Sequence, residues 1–109
     1  MVHVYLICAQ IGDNKLYKIG HTKRNIKKRI KELKTGNATD FTIIDFFTSK
    51  WGIKIEFILH NQFKSKKING EWFNLDLNDI KNFKSQCELI DKNLTIISES
   101  LYFRCKGKF

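Results

Sequence analysis

His3-Val4-Tyr5-Leu6-Ile7-Cys8-Ala9, then Gly12-Asp13-Asn14, then Lys15-Leu16-Tyr17-Lys18-Ile19-Gly20-His21-Thr22 is the stretch whose reading decides the fold. Both flanks carry apolar residues of strand character, and the Gly-Asp-Asn between them is a hairpin signal. The stretch predicts two antiparallel strands over residues 2–10 and 15–20, each presenting a tyrosine, with the second ending at a glycine. Tyrosine, lysine, histidine and arginine move protons and hold phosphate charge, and Tyr5, Tyr17, Lys18, His21 and Arg29 crowd into fewer than thirty positions. That concentration points to chemistry as well as packing.

Outward from the hairpin, Thr22 or Asn25 can cap a helix over about 25–35, which Thr35-Gly36-Asn37 ends. Phe41 to Phe47 reads as a third strand and about 52–64 as a second helix. Trp72 to Leu75 reads as a short strand, Asn78 caps a helix to about Lys92, and Leu94 to Phe103 reads as a final strand or extended tail. The expected fold class is α+β: a β-β-α-β-α core with a small, mainly antiparallel three-stranded sheet flanked by helices, then a C-terminal helix and extended tail. Residues 1–83 form the core, and 84–109 are the helix end and tail packed on the same domain.

The chain has 109 residues, 42% of them hydrophobic, six glycines and no proline, which suits one domain with a real core and excludes a collagen-like or disordered chain. No apolar run is long enough for a membrane span, and no export signal is legible at the N-terminus. Cys8, Cys87 and Cys105 are an odd count without metal-ligand spacing, so they read as reduced, packed thiols, and a zinc site is not expected. The expected location is intracellular: cytoplasmic, or nuclear or viral factory for a eukaryotic virus.

The formal charge is +9. Abundant Lys, Asn, Ile and Phe fit an A/T-biased coding sequence, which accounts for some of the lysines. Their clustering does not follow from that bias. Lys23, Arg24, Lys27, Lys28, Arg29, Lys31 and Lys34 fill one segment, and Lys64, Lys66 and Lys67 a second. Clustered positive charge on a folded domain attracts a polyanion, most often nucleic acid.

Helical periodicity puts Ile26, Ile30 and Leu33 on the apolar stripe of the first helix, with Arg29 at its edge. In the second helix Ile53, Phe57, His60 and Phe63 share a face, and Glu56 lies on it too. An inward carboxylate is costly without a partner or a metal. A buried Arg29–Glu56 ion pair is one reading. The other is a site that combines a phenolic proton acceptor, a cation for phosphate and a carboxylate for a divalent metal.

Val4-Tyr5-Leu6, Tyr17-Lys18-Ile19-Gly20-His21-Thr22 and the helical arginine resemble the two-tyrosine hairpin and following helix of the GIY-YIG nuclease superfamily. Glu56-Phe-Ile-Leu-His60-Asn-Gln-Phe63 and Gly70-Glu71-Trp72-Phe73 resemble one branch in particular. That is the small phage, viral and bacterial branch named after a bacteriophage T-five open reading frame, with the related meiotically up-regulated fungal genes. The resemblance spans about residues 2–83.

It implies a divalent-metal-dependent endonuclease hydrolysing phosphodiester bonds of DNA, RNA not being excluded, with one Mg2+ or Mn2+ ion per active site. By position, Tyr5 would activate or place the attacking water and Lys18 occupies the place of the second family tyrosine, with Tyr17 one residue earlier. Arg29 would stabilise the phosphate, with Arg24 as fallback, and Glu56 would hold the metal. His21 would hydrogen-bond phosphate or water. Lys23, Arg24, Lys27, Lys28, Lys31, Lys64, Lys66 and Lys67 are the candidate nucleic-acid contacts. His60 either supports the site or is a satisfied core histidine; Glu71 is a second acidic ligand or a loop cap; Trp72 and Phe73 close the core. Asn61 and Asn74 are both open for the family asparagine. The lysine at the second tyrosine position keeps an alternative in play, a catalytically weak or inactive nucleic-acid-binding module of the same fold. A third reading is a partner-binding domain with basic surfaces. Monomer and homodimer are both open.

Overall fold

In the computed structural model, which describes residues 1–34 and 40–106, the N-terminal hairpin is the centre of the sheet. β1 (Val2–Ile11) and β2 (Asn14–Thr22) pair antiparallel without interruption from His3↔Thr22 to Ile11↔Asn14. Gly12 closes the turn with φ of 60°, a left-handed conformation that a residue without Cβ adopts at no steric cost. β3 (Asp40–Ser49) pairs antiparallel along the other edge of β1. Two short strands, β4 (Lys67–Asn69) and β5 (Trp72–Phe73), continue beyond β2 to give the order β3-β1-β2-β5-β4. The expected three-stranded sheet is thus the β3-β1-β2 part of five strands. Lys67-Ile68-Asn69 is too short and too exposed to show a strand pattern in sequence.

Strict alternation along β1 splits its side chains between two layers. Val4, Leu6 and Cys8 join Tyr17, Ile19 and Phe73 under α2 (Gly52–Gln62) and α4 (Phe83–Lys106), through Ile55, Leu59, Phe83, Cys87 and Ile90. Tyr5, Ile7 and Ala9 face the opposite way, against Ile26 and Ile30 of α1 (Ile26–Lys34) and Phe41 of β3. Of the two capping candidates of α1, Asn25 caps it, Oδ1 accepting from Lys28 N, while Thr22 Oγ1 accepts from Arg24 N in the turn before the helix. The helix stop expected at Thr35-Gly36-Asn37 lies outside the described residues.

Along β3 the pairing with β1 slips between Leu6↔Asp45 and Ile7↔Ile43, so Ile44 is an extra residue. The bulge inverts the face parity of the strand. Phe41 and Ile43 belong to the α1 layer, whereas Phe47 beyond the bulge belongs to the α2–α4 layer. The phenylalanine-rich strand is therefore core only in part, and Phe46 is half exposed.

A 3₁₀ turn (Lys64–Lys66) leads into β4, and α3 (Leu77–Lys81) follows β5. Its cap is Asp76, not Asn78: Asp76 and Asp79 exchange side-chain and backbone hydrogen bonds in a capping box. The chain breaks at Asn82 and α4 then runs unbroken to Lys106, so the strand or tail expected over Leu94–Phe103 is helix instead. Thr95, Ile96 and Ile97 carry strand propensity, but spacing overrides it. Phe83, Cys87, Ile90, Asp91, Leu94 and Thr95 fall on one helical face, and no glycine or proline interrupts the run to Lys106. Polar contacts fasten that face: Ser49 Oγ donates to Asp91, and Trp51 Nε1 donates to Thr95 Oγ1 at 3.1 Å. Among the described residues no helix is long and apolar enough to cross a membrane.

Cys8 and Cys87 are free, buried thiols. Burial pushes the Cys87 thiol up to about 12, with Asp45 and Glu88 adding to the effect. A raised pKa in the folded state means that the stabilisation present below the ordinary thiol value is lost as pH rises toward 12. Iodoacetamide at about pH 8 is expected to leave Cys87 unlabelled in the native protein and to label it readily in urea, as mapped by mass spectrometry. Fast native labelling of Cys87 would show that α4 is not seated as described.

Candidate active site

Residues opposite one another across an antiparallel pair share a face. The register Tyr5↔Gly20 and Ile7↔Lys18 therefore puts Tyr5, Lys18 and Gly20 on the α1 face, while Leu6↔Ile19 and Val4↔His21 put Ile19 and His21 on the α2 face. The Tyr5 ring lies directly over Gly20. A methyl group there would come within 2.5 Å of the phenolic oxygen and 2.6 Å of Cζ, so only glycine fits beneath this ring. The close approach fixes where the hydroxyl points.

That hydroxyl is almost fully buried and hydrogen-bonded to Arg29, which reaches it from the edge of the α1 stripe. Burial raises the phenol's pKa above its ordinary value; the Arg29 hydrogen bond and charge oppose the rise, and the charges of Glu71 and Glu56 add to it. Burial alone would lower the Arg29 pKa, but the Tyr5 contact and Glu32, 3.5 Å away, leave it raised. At neutral pH the pair is a protonated phenol and a guanidinium.

Two further groups approach from the edge of β2. β5 pairs with β2 only at Tyr17 and Lys18. Beyond that point the Ile19 N–H donates to Glu71 O at 3.3 Å, and the Ile19 carbonyl accepts from His60 Nε2 at 2.9 Å. Glu71, brought there by the Gly70 turn, pairs through its carboxylate with Lys18 Nζ at 3.1 Å. His60 lies one helical turn beyond Glu56, and its Nε2 is 3.5 Å from Glu56 Oε1. The other carboxylate oxygen, Oε2, is hydrogen-bonded to His21 Nδ1. Glu56 is thus a nearly buried carboxylate between two imidazoles, and His21, Ile53, Phe57 and His60 line a small cleft beside it.

Several expected placements change. Tyr17 faces the α2–α4 core, where it is hydrogen-bonded to Cys8, so it stands on the opposite side of the sheet from Tyr5 and Lys18. The inward residues of α2 are Gly52, Ile55, Glu56 and Leu59; Ile53 and Phe57 are exposed, because the helix is rotated so that Ile55 and Leu59 meet the sheet. Among the described residues Arg29 and Glu56 form no ion pair with each other; Arg29 holds Tyr5 and Glu32, and Glu56 holds the two histidines. Arg24 pairs with Glu32 at 2.8 Å. Lys66 pairs with Asp76 and Asp79, fastening the α3 cap to the 3₁₀ turn. Lys23, Lys27, Lys28, Lys31, Lys64 and Lys67 are exposed, as are Asn61 and Asn74, while His3 is hydrogen-bonded to Thr48 across the β1–β3 pair. Two links escaped the sequence reading, Lys18–Glu71 and His21–Glu56. Strand parity carries a signal for both, since period two separates Lys18 from His21.

Among the described residues no group of three or more His, Cys, Asp or Glu side chains could hold a metal ion. A magnesium ion does not require one. It binds through one or two carboxylates and keeps waters and phosphate oxygens in its remaining positions, and Glu56 is a carboxylate of that kind. The donor set fits a hard divalent cation completed by substrate, in competition with His21 for the same oxygen.

Gly20→Ala is expected to displace the Tyr5 ring, at a cost of about 1–3 kcal/mol for overpacking. Urea denaturation measures the stability loss, and the near-ultraviolet spectrum reports the tyrosine. An alanine variant with wild-type stability would show that the ring does not rest on Gly20.

The T5orf172 domain model matches residues 2–88. No curated protein and no solved structure matches the chain. The matched residues run from the start of β1 into α4 and include Tyr5, Lys18, Arg29, Glu56 and Glu71. The family marks a nuclease-like or DNA-binding module, and the chain belongs to it: this is a T5orf172 domain, of the GIY-YIG-like nucleases.

Proposed function

We propose that the protein is a divalent-metal-dependent endonuclease acting on phosphodiester bonds of DNA. One observation carries this reading: a buried, protonated tyrosine hydroxyl is held by an arginine over a glycine that can be nothing larger, within the electrostatic reach of Glu56 and Glu71. A core tyrosine needs only a hydrogen-bond acceptor; this one is bonded to Arg29 and feels the charges of Glu71 and Glu56.

The division of labour follows from charge. Arg29 offers donors to a phosphate oxygen and counters negative charge as it develops in the transition state. Tyr5 accepts from Arg29 and directs its own proton toward a water or phosphate oxygen. Because its pKa is raised, it works as a phenol that places the water, not as a standing phenolate. Lys18, anchored by Glu71, supplies a second cation at the position of the second family tyrosine. Glu56 would hold the Mg2+ or Mn2+ ion, which would supply Lewis-acid chemistry to the phosphate and the attacking water. His21 and His60 orient the Glu56 carboxylate. The exposed lysines of α1 and of the turn at Lys64 and Lys67 supply backbone contacts, for which DNA is the proposed polyanion.

A second reading, a binding module without cleavage, is favoured by Lys18 itself, whose ammonium is committed to Glu71 where the family places a tyrosine. Supercoiled plasmid separates the two. With Mg2+ or Mn2+ the wild type is expected to nick, Arg29→Ala to slow nicking about 10²–10³-fold, and Glu56→Ala to abolish it. Chelation with EDTA is expected to stop the reaction. DNA binding with a steep salt dependence and no nicking by any form selects the binding module. Nicking by Glu56→Ala at the wild-type rate rules out the metal assignment.

A further inference from the structure

We propose that the recess at the hairpin-tip end of the α1 face receives an unstacked nucleobase, so that the protein takes nucleic acid as a single strand or a locally opened one. This inference rests on the nucleic-acid reading given above and deepens it. The recess has a volume of about 460 Å³ and is lined by β1, β2, β4 and β5 residues together with Leu33 of α1 and Phe41 of β3. Trp72 and Phe41, stacked with centroids 5.8 Å apart and 30° between planes, form one wall, and Leu16 and Ile68 contribute aliphatic surface. Among the described residues its polar lining side chains are Lys18 and Asn69.

Those walls specify the occupant. Aromatic and aliphatic surfaces disfavour a phosphate or any strongly hydrated charge, yet accept the face of a planar heterocycle. The Asn69 amide carries both donors and an acceptor and so matches the edge of a base. The volume falls in the range of small-ligand sites. Lys18 joins the recess to the proposed phosphate site: it lines the recess, its Nζ lies 5.9 Å from the Trp72 ring centroid, and it pairs with Glu71. A nucleotide with its phosphate near Arg29 and its base beside Trp72 would span the two. A base stacked inside a duplex cannot enter such a recess without leaving its partner.

The test compares three probes against wild-type protein in EDTA, by fluorescence anisotropy. They are a thymidine oligonucleotide of about twelve residues, an abasic sugar–phosphate chain of equal length, and the thymidine strand in duplex with its complement. The thymidine strand is expected to bind about tenfold more tightly than either of the others. In Trp51→Phe protein, where Trp72 is the remaining tryptophan, it is expected to quench the emission, and the abasic chain is not. Trp72→Phe should cut the advantage of bases over abasic sugars severalfold and leave abasic binding unchanged. Equal affinity for the base-bearing and abasic strands overturns the recess proposal and leaves the phosphodiester reading standing. No binding of any probe at low salt overturns both. A protein that binds bases but fails the nicking test keeps this inference and becomes a binding module.

Discussion

The contact between the Tyr5 ring and the bare backbone of Gly20 is the constraint on which the rest of the site depends. It is possible only because β1 and β2 pair in one register, and it fails with a slip of one residue, which would turn Tyr5 toward the α2–α4 layer. The hairpin register is itself over-determined. Gly12 sets the turn, Val4, Leu6 and Cys8 must face one layer, and Ile7 and Ala9 the other. Since β1 is buried on both faces, no slipped pairing hides as much apolar surface. The same burial that stabilises the sheet therefore aims the hydroxyl at Arg29.

The fold was legible where pattern and punctuation agree. The hairpin, α1, the third strand and α2 all follow from apolar periodicity bounded by Gly, Asn or Thr. Where a segment is held by tertiary contacts that its own composition does not advertise, the reading failed. Leu94–Phe103 carries β-branched residues that favour a strand, but Ser49 and Trp51 hold this face of α4 through Asp91 and Thr95, partners more than forty residues away. β4 is three exposed residues made into a strand by β5, and the bulge at Ile44 has no local signature.

The site was legible as a set of residue types but less so as a set of directions. Tyr5 and Lys18 share the α1 face with Arg29, Glu56 lies with His21 on the other face, and the phenol feels the charges of Arg29, Glu71 and Glu56. Tyr17 is the instructive failure. It is adjacent to Lys18 in sequence, and adjacency in a strand means opposite faces. Phe57 shows the same effect on a helix, where hydrophobicity suggested burial and the rotation set by Ile55 and Leu59 left it exposed. Charge partners were not legible in the sequence: Arg24 pairs with Glu32, and Lys66 with Asp76 and Asp79.

The bulge in β3 has a consequence for how the two halves of the molecule can change. Along β1 every residue is tied by alternation to its neighbours, so the layers above and below are written in one reading frame. Along β3 the frame shifts at Ile44. The apolar residues Phe41 and Ile43 before the shift serve the layer that holds Arg29, and Phe47 after it serves the layer that holds α4. The strand works as two short words joined by a spacer, and each can vary without disturbing the meaning of the other.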